Sequence, residues 1–261
     1  MSHKINKLFI FVLGISILLA ACGQGGKQGE TTTATDSTST TMTDAVQQTA
    51  LVSADDAVKA APDLYKVVND SLGIRILEAT YKPGDSSAMH SHPDYSIYVI
   101  DGGTAEFTSK DGQKRVSEMK PGMENIIGEE VHSVKNIGKT TVKVLVFEVN
   151  RAKTVNSPDA ALDAAKVASD LYKVKRDSLG IRVVEATYKP GQSSAMHIHP
   201  DNGVYAISGG TGEFTEKDGT KRTNELKTGL AFVTGGGEHS VKNVGKTTMK
   251  ILLIEINRPM K

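Results

Sequence analysis

The feature that most restricts the fold of this chain is that its second half repeats its first at a fixed spacing. Asp63-Leu64-Tyr65-Lys66-Val67 returns as Asp170-Leu171-Tyr172-Lys173-Val174, and Asp70-Ser71-Leu72-Gly73-Ile74-Arg75 as Asp177-Ser178-Leu179-Gly180-Ile181-Arg182. The spacing is 107 residues and holds to Asn150-Arg151 and Asn257-Arg258. A constant spacing means no net insertion or deletion, so the two backbones should superpose. Two repeats of this length make a tandem pair of domains rather than a solenoid. The 261 residues also fit two small domains, each long enough to bury a core.

Within each repeat the pattern is strand-like. Ile74–Tyr81, Ser96–Ile100, Thr104–Thr108 and Thr141–Val149 are short runs rich in Ile, Val, Tyr, Phe and Thr. Turn signals divide them: Pro83-Gly84, Asp101-Gly102-Gly103, Pro121-Gly122 and Asn136-Ile137-Gly138. Lys110-Asp111-Gly112, repeated at Lys217-Asp218-Gly219, reads as a hairpin. Such spacing predicts an all-β sandwich or barrel in each half. A short helix should lead into each: Ala54–Ala61 with Ser53 and Asp56 as a capping box, and Asp159 to about Ala168 after Ser157-Pro158.

The N-terminal 22 residues have a different logic. Lys4 and Lys7 precede an apolar run, Leu8–Leu19, that is too short to span a bilayer and fits the apolar region of an export signal. The run ends in Leu19-Ala20-Ala21-Cys22, which resembles the lipobox of bacterial lipoproteins. That resemblance implies acylation of Cys22, the only cysteine, which becomes the new N-terminus and anchors the chain to a membrane. Gly23 stands where an Asp retention cue would be, which favours the outer membrane, with the folded part facing the periplasm or the surface. The expected divisions are therefore 1–21 signal peptide, 22–52 flexible Thr/Ser/Gly-rich tether, 53–152 first domain, and 153–261 linker helix with second domain.

Charge removes further options. The chain has 31 Lys and Arg against 30 Asp and Glu, and loss of the leader leaves 29 basic residues. A near-neutral chain has no electrostatic footprint for nucleic acid. One cysteine excludes an internal disulfide and a multi-cysteine zinc site. No phosphate-binding loop and no Gly-x-Ser-x-Gly elbow occurs.

The histidines carry the chemistry. One, His3, lies in the leader; the other six are His90, His92 and His132, and His197, His199 and His239. His-x-His on a strand places both rings on one face, about 7 Å apart along the chain, close enough to share one ion. The third histidine must come from another strand. Imidazole suits Fe, Mn, Ni, Cu or Zn.

Gly84-x₅-His90-Ser91-His92, Gly102 and Gly122…His132-x₃-Asn136 resemble the two motifs of the cupin superfamily, and Gly191-x₅-His197-Ile198-His199, Gly209 and Gly229…His239-x₃-Asn243 repeat them. The chain is similar to a bicupin. The resemblance implies two antiparallel jelly-roll β-barrels, each with histidines around a divalent transition metal in its mouth, and a small-molecule ligand or substrate. The family's usual Glu after His-x-His is missing from Pro93-Asp94-Tyr95-Ser96 and from Pro200-Asp201-Asn202-Gly203. That leaves two readings, a three-His site with open positions, as in some cupin dioxygenases, or a weakened site. Asp94 and Asp201 are candidate partners for a ring N–H, or plain turn residues. Strand alternation places Tyr98 and Tyr205 on the inward face, as pocket donors or core aromatics, and Asn136 and Asn243 join the candidate pocket. The rims differ, Glu129-Glu130-Val131 before His132 against Gly236-Gly237-Glu238 before His239. Three functions fit: a metal-dependent oxygenase of the cell envelope, a non-catalytic metal- or ligand-binding lipoprotein, and a structural bicupin. Oligomeric state is left open.

Overall fold

Alternation of apolar and polar residues makes most of the chain into strands. The computed structural model describes residues 54–156 and 161–260. The expected signal peptide and tether, Cys22, Ser53 and Ser157-Pro158 lie outside the described residues. The first barrel runs β1 (Asp55–Asp56), α1 (Ala57–Ala60), β2 (Tyr65–Ser71), β3 (Ile74–Tyr81), β4 (His90–His92), β5 (Tyr95–Asp101), β6 (Gly103–Ser109), β7 (Lys114–Met119), β8 (Glu124–Ile127), β9 (Glu130–Asn136) and β10 (Val142–Val149). The second runs α2 (Ala164–Val167), β11 (Tyr172–Ser178), β12 (Ile181–Tyr188), β13 (His197–His199), β14 (Asn202–Ser208), β15 (Gly210–Glu216), β16 (Lys221–Leu226), β17 (Ala231–Thr234), β18 (Gly237–Asn243) and β19 (Met249–Ile256).

Each barrel is a pair of sheets in jelly-roll order. In the first, β1-β4-β9-β6-β7 faces β2-β3-β10-β5-β8; in the second, β13-β18-β15-β16 faces β11-β12-β19-β14-β17. Pairing between these strands is antiparallel except where β1 runs parallel to β4, with Asp55 opposite His90. The predicted hairpins form between β6 and β7 and between β15 and β16, with Gly112 and Gly219 at φ 81° and 86°.

The leading helices are shorter than predicted. Asp55 and Asp56 pair with β4 instead of entering a helix, and Asp56 itself caps α1 by accepting from Val58 N at 3.0 Å. Asp163 does the same for α2, accepting from Ala165 N at 2.8 Å. Each of these aspartates also binds an arginine, Arg75 or Arg182, and so holds its stretch against the barrel.

In each barrel the central strands of one sheet, β3-β10-β5 and β12-β19-β14, are buried on both faces. Along β10, Val142, Val144 and Val146 point into the first barrel, whereas Leu145, Phe147 and Val149 point out. The outward row meets Leu252, Ile254 and Ile256 of β19 in a third apolar cluster that joins the barrels. Phe147 is fully buried there, and a Cβ added at Gly203 would come within 2.6 Å of its ring. Gly203 thus allows the two sheets to approach. Among the described residues no helix is long and apolar enough to cross a membrane.

Candidate metal centre

His90 and His92 are two apart on β4, so both rings enter the barrel, and β9 places His132 directly opposite His90. The ring centroids are 4.9 Å apart for His90–His92, 4.8 Å for His90–His132 and 5.3 Å for His92–His132. One ring nitrogen from each lies within 4.8 Å of the others. His197, His199 and His239 repeat the cluster, with centroid separations of 4.8, 4.8 and 5.4 Å.

The partners of the outer nitrogens fix which way the rings donate. His90 Nδ1 is 2.8 Å from Ala88 O, which only accepts, so Nδ1 carries the proton and Nε2 keeps its lone pair. His92 Nδ1 likewise donates to Glu148 Oε1 at 2.6 Å. Glu148 is the next inward residue of β10 after Val146, fully buried, and its other oxygen accepts from Arg75 Nε at 2.6 Å. Arg75 also binds Asp56. The second barrel has the same chain: His199 Nδ1 to Glu255 at 2.6 Å, Glu255 to Arg182 at 2.5 Å, Arg182 to Asp163 at 2.5 Å. A carboxylate behind a histidine orients the ring and makes it a better donor to a cation.

A pair of tyrosines stands beside each cluster. Tyr65 OH lies 3.1 Å from His90 Nε2 and accepts from Tyr81 OH at 3.0 Å; Tyr172 and Tyr188 do so beside His197 at 2.9 and 2.8 Å. Burial pushes the Tyr65 and Tyr172 hydroxyls far above their usual range, so both stay protonated donors. Burial pushes His90 and His197 down to about 4 and, with the neighbouring His197 and His199, pushes His239 down to about 3. These three rings are therefore neutral near pH 7, the state in which imidazole ligates a metal. His132 Nδ1 is buried without an aligned hydrogen-bond partner, although Glu130 Oε1 lies 2.9 Å away off the bonding direction. This donor set, three imidazoles in each barrel with ring nitrogens within 4.8 Å of one another, fits a divalent transition metal. It does not fit Ca²⁺ or Mg²⁺, which require an oxygen cage.

The two mouths differ as the rims predict. Glu130 and Tyr95 close the first, bonded to each other; burial raises the Glu130 carboxyl, but His132 and Tyr95 hold it down to about 2. Gly237 and Asn202 stand at these places in the second. The cavity measures about 90 Å³ in the first barrel and about 230 Å³ in the second.

Several expected pocket residues lie elsewhere. Tyr98 and Tyr205 face outward and pack on each other between the barrels, ring centroids 5.3 Å apart. The turn at Pro93-Asp94 resets the alternation, so Tyr95, Ile97 and Val99 point inward instead of Ser96, Tyr98 and Ile100. Asn136 ties down a turn, donating to Tyr81 O and Thr140 O at 2.8 Å each and accepting from Gly138 N; Asn243 is its copy. Asp94 and Asp201 bind arginines, not histidine rings. Glu238 pairs with Lys217 at 2.8 Å.

Residues 184–255 match the family profile described as Cupin domain, so the second barrel is a cupin. The first repeats its strand order and its three histidines, and the chain is a tandem cupin of two barrels, a bicupin. An oxalate decarboxylase from Lactobacillus farciminis, solved as its formate complex, is 13% identical over 72% of this chain and 78% of its own, with a TM-score of 0.50. A Bacillus subtilis oxalate decarboxylase variant is 16% identical over 78% and 72%, also with a TM-score of 0.50. A Bordetella pertussis cupin domain is 27% identical over 33% of this chain and 91% of its own, with a TM-score of 0.31. The likenesses to the two oxalate decarboxylases concern the fold. No curated protein sequence matches the chain.

Proposed function

We propose that this chain is a cell-envelope lipoprotein whose two cupin barrels each bind a divalent transition metal, through His90, His92 and His132 and through His197, His199 and His239. The observation that carries the reading is the outward tethering of the rings. Ala88 O and the Glu148 carboxylate, and Ala195 O and Glu255, hold Nδ1 of the paired histidines and turn Nε2 inward. Tyr65 and Tyr172 donate to Nε2 of His90 and His197, and a bound metal would take those lone pairs in the tyrosines' place. The Leu19-Ala20-Ala21-Cys22 sequence supports anchoring through a lipid on Cys22, and Gly23 in place of an Asp favours the outer membrane as destination.

Three protein ligands leave positions for a small molecule, and the bound metal would supply Lewis acidity and, for Fe or Mn, access to O₂ chemistry. The chain's own part is to bind and orient. Tyr65 and Tyr172 hold a proton at the edge of each cluster, where they can donate to a bound anion. The cavity volumes limit the ligand to a few heavy atoms, with more room in the second barrel. We propose a small-molecule oxygenase as the activity. A non-catalytic metal- or ligand-binding role is favoured by one observation: both carboxylates beside the first cluster are already engaged, Glu148 by His92 and Arg75 and Glu130 by Tyr95. Cobalt(II) titration tests metal binding. Absorption bands should saturate at two equivalents and halve in His92→Ala; a chain that develops no such bands would overturn the reading.

A further inference from the structure

Each barrel ends in a buried arginine that finds its carboxylate in the other barrel. Arg151 follows β10 and Arg258 follows β19; they are 6% and 4% exposed. Arg258 Nη2 donates to Asp94 Oδ2 at 2.8 Å, and its Nε donates to Leu179 O at 2.6 Å. Arg151 Nη2 donates to Asp201 Oδ2 at 2.6 Å, and its Nε donates to Leu72 O at 2.8 Å. Arg151 Nη1 also reaches Arg258 O at 2.9 Å, so the two arginines form one crossed clasp.

The carboxylates are where this clasp meets the sites. Asp94 stands two residues after His92, and its second oxygen accepts from Glu129 N at 2.8 Å, just before the strand that carries His132. One side chain thus ties together the loops beside two of the three histidines. Asp201 does the same after His199, accepting from Gly236 N at 2.7 Å beside the strand of His239. Asp94 is buried and Asp201 is 28% exposed, and the guanidinium that comes across holds each carboxylate in place under its loop tie, with Lys153 Nζ also 3.8 Å from Asp94. Ligand strands left a fraction of an ångström loose bind metal more weakly.

We infer that each barrel's metal site is held in register by the other barrel's terminal arginine: Arg258 is a positioning residue for His90, His92 and His132, and Arg151 for His197, His199 and His239. This rests on the metal-binding reading above. It predicts a crossed effect, in which a substitution at the end of one barrel weakens the site of the other. A residue that merely stabilises its own barrel would not do this.

The test uses the full chain with one site removed at a time. His199→Ala leaves the first site to be read, and His92→Ala leaves the second. In these backgrounds Arg258→Met should weaken cobalt(II) binding at the first site by about tenfold or more, and change the second by less than about twofold. Arg258→Lys, which keeps the charge but reaches fewer acceptors, should fall between. Arg151→Met should give the reverse pattern. Amide exchange supplies a readout that needs no metal: Arg258→Met should speed exchange at Glu129 and leave Gly236 protected. The unaffected second site of His92→Ala/Arg258→Met, and the unaffected first site of His199→Ala/Arg151→Met, report that each arginine variant has folded. Equal losses at both sites, a loss confined to the arginine's own barrel, or unchanged first-site affinity with unchanged Glu129 exchange would overturn the clasp. A wild-type chain that takes up no cobalt would overturn the metal reading, while the exchange measurement would still decide whether the loops are tied across the barrels.

Discussion

Glu148→Gln removes one charge from a fully buried position and changes almost no volume. The carboxylate serves two donors, His92 Nδ1 through Oε1 and Arg75 Nε through Oε2, each at 2.6 Å. A glutamine has one oxygen to offer, and its amide NH₂ must then face the other donor. One bond is lost and a donor–donor contact replaces it. Breaking a buried pair costs about 3–5 kcal/mol. The lower end applies here, because the Arg75 side chain is 17% exposed and keeps Asp56 as a partner. About 3 kcal/mol corresponds to a fall in Tm of roughly 6–12 °C for a folded unit of this size. At the metal site, losing the group that orients His92 should weaken binding by about 10–100-fold. Thermal unfolding by circular dichroism measures the first effect, and cobalt(II) titration in the His199→Ala background measures the second. The double variant Glu148→Met/Arg75→Met separates them. Removing both charges should restore most of the stability, since neither group is left buried alone, but not the affinity. A Glu148→Gln chain that melts within about 2 °C of wild type and binds metal equally well would refute the reasoning.

Three further outcomes are expected. Without metal, the folded chain keeps His90 and His197 neutral down to about pH 4 and His239 to about pH 3, whereas the unfolded chain protonates them near 6.5. Stability should therefore be fully present above pH 6.5 and fall with acidification toward pH 4, by on the order of 1 kcal/mol per histidine between pH 7 and 5.5; a flat urea midpoint over that range would contradict it. Gly203→Val should destabilise the pair of barrels by about 1–3 kcal/mol through its clash with Phe147, and adding Phe147→Ala should cost less than the sum of the single changes in denaturant unfolding. Cys22→Ser should move the chain from the detergent phase to the aqueous phase on detergent partitioning of expressing cells; unchanged partitioning would remove the lipid anchor.

The 107-residue repeat makes the two-barrel architecture legible in the amino-acid order. Ile74–Tyr81 is a strand with the predicted ends, and the hairpin at Asp111-Gly112 forms, because alternating β-branched residues and turn glycines leave few alternatives. The polar strand β2 carries no such signal; Lys66, Asn69 and Asp70 are in a strand only because β3 pairs with them. Alternation misplaces the inward face of β5 because both of its faces are apolar, one toward the barrel and one toward its twin, so hydrophobicity cannot set the parity. Glu148 and Glu255 match no motif, yet each is the one acid in a strand of otherwise nearly continuous apolar residues, Val-Lys-Val-Leu-Val-Phe-Glu-Val and Met-Lys-Ile-Leu-Leu-Ile-Glu-Ile. A lone acid at the same place in two buried strands is a signal that strand counting alone passes over. The crossed arginines are out of reach of sequence reasoning, since nothing in one repeat indicates which repeat its last residue touches.

The central claim is that the six histidines form two metal sites. Elemental analysis of the chain purified without an affinity tag, after exposure to Fe, Mn, Ni, Cu and Zn, tests it most directly. The account predicts two ions of one metal per chain, one in either His92→Ala or His199→Ala, and none in the double variant. A wild-type chain that holds no metal, or a double variant that holds as much as wild type, would contradict it.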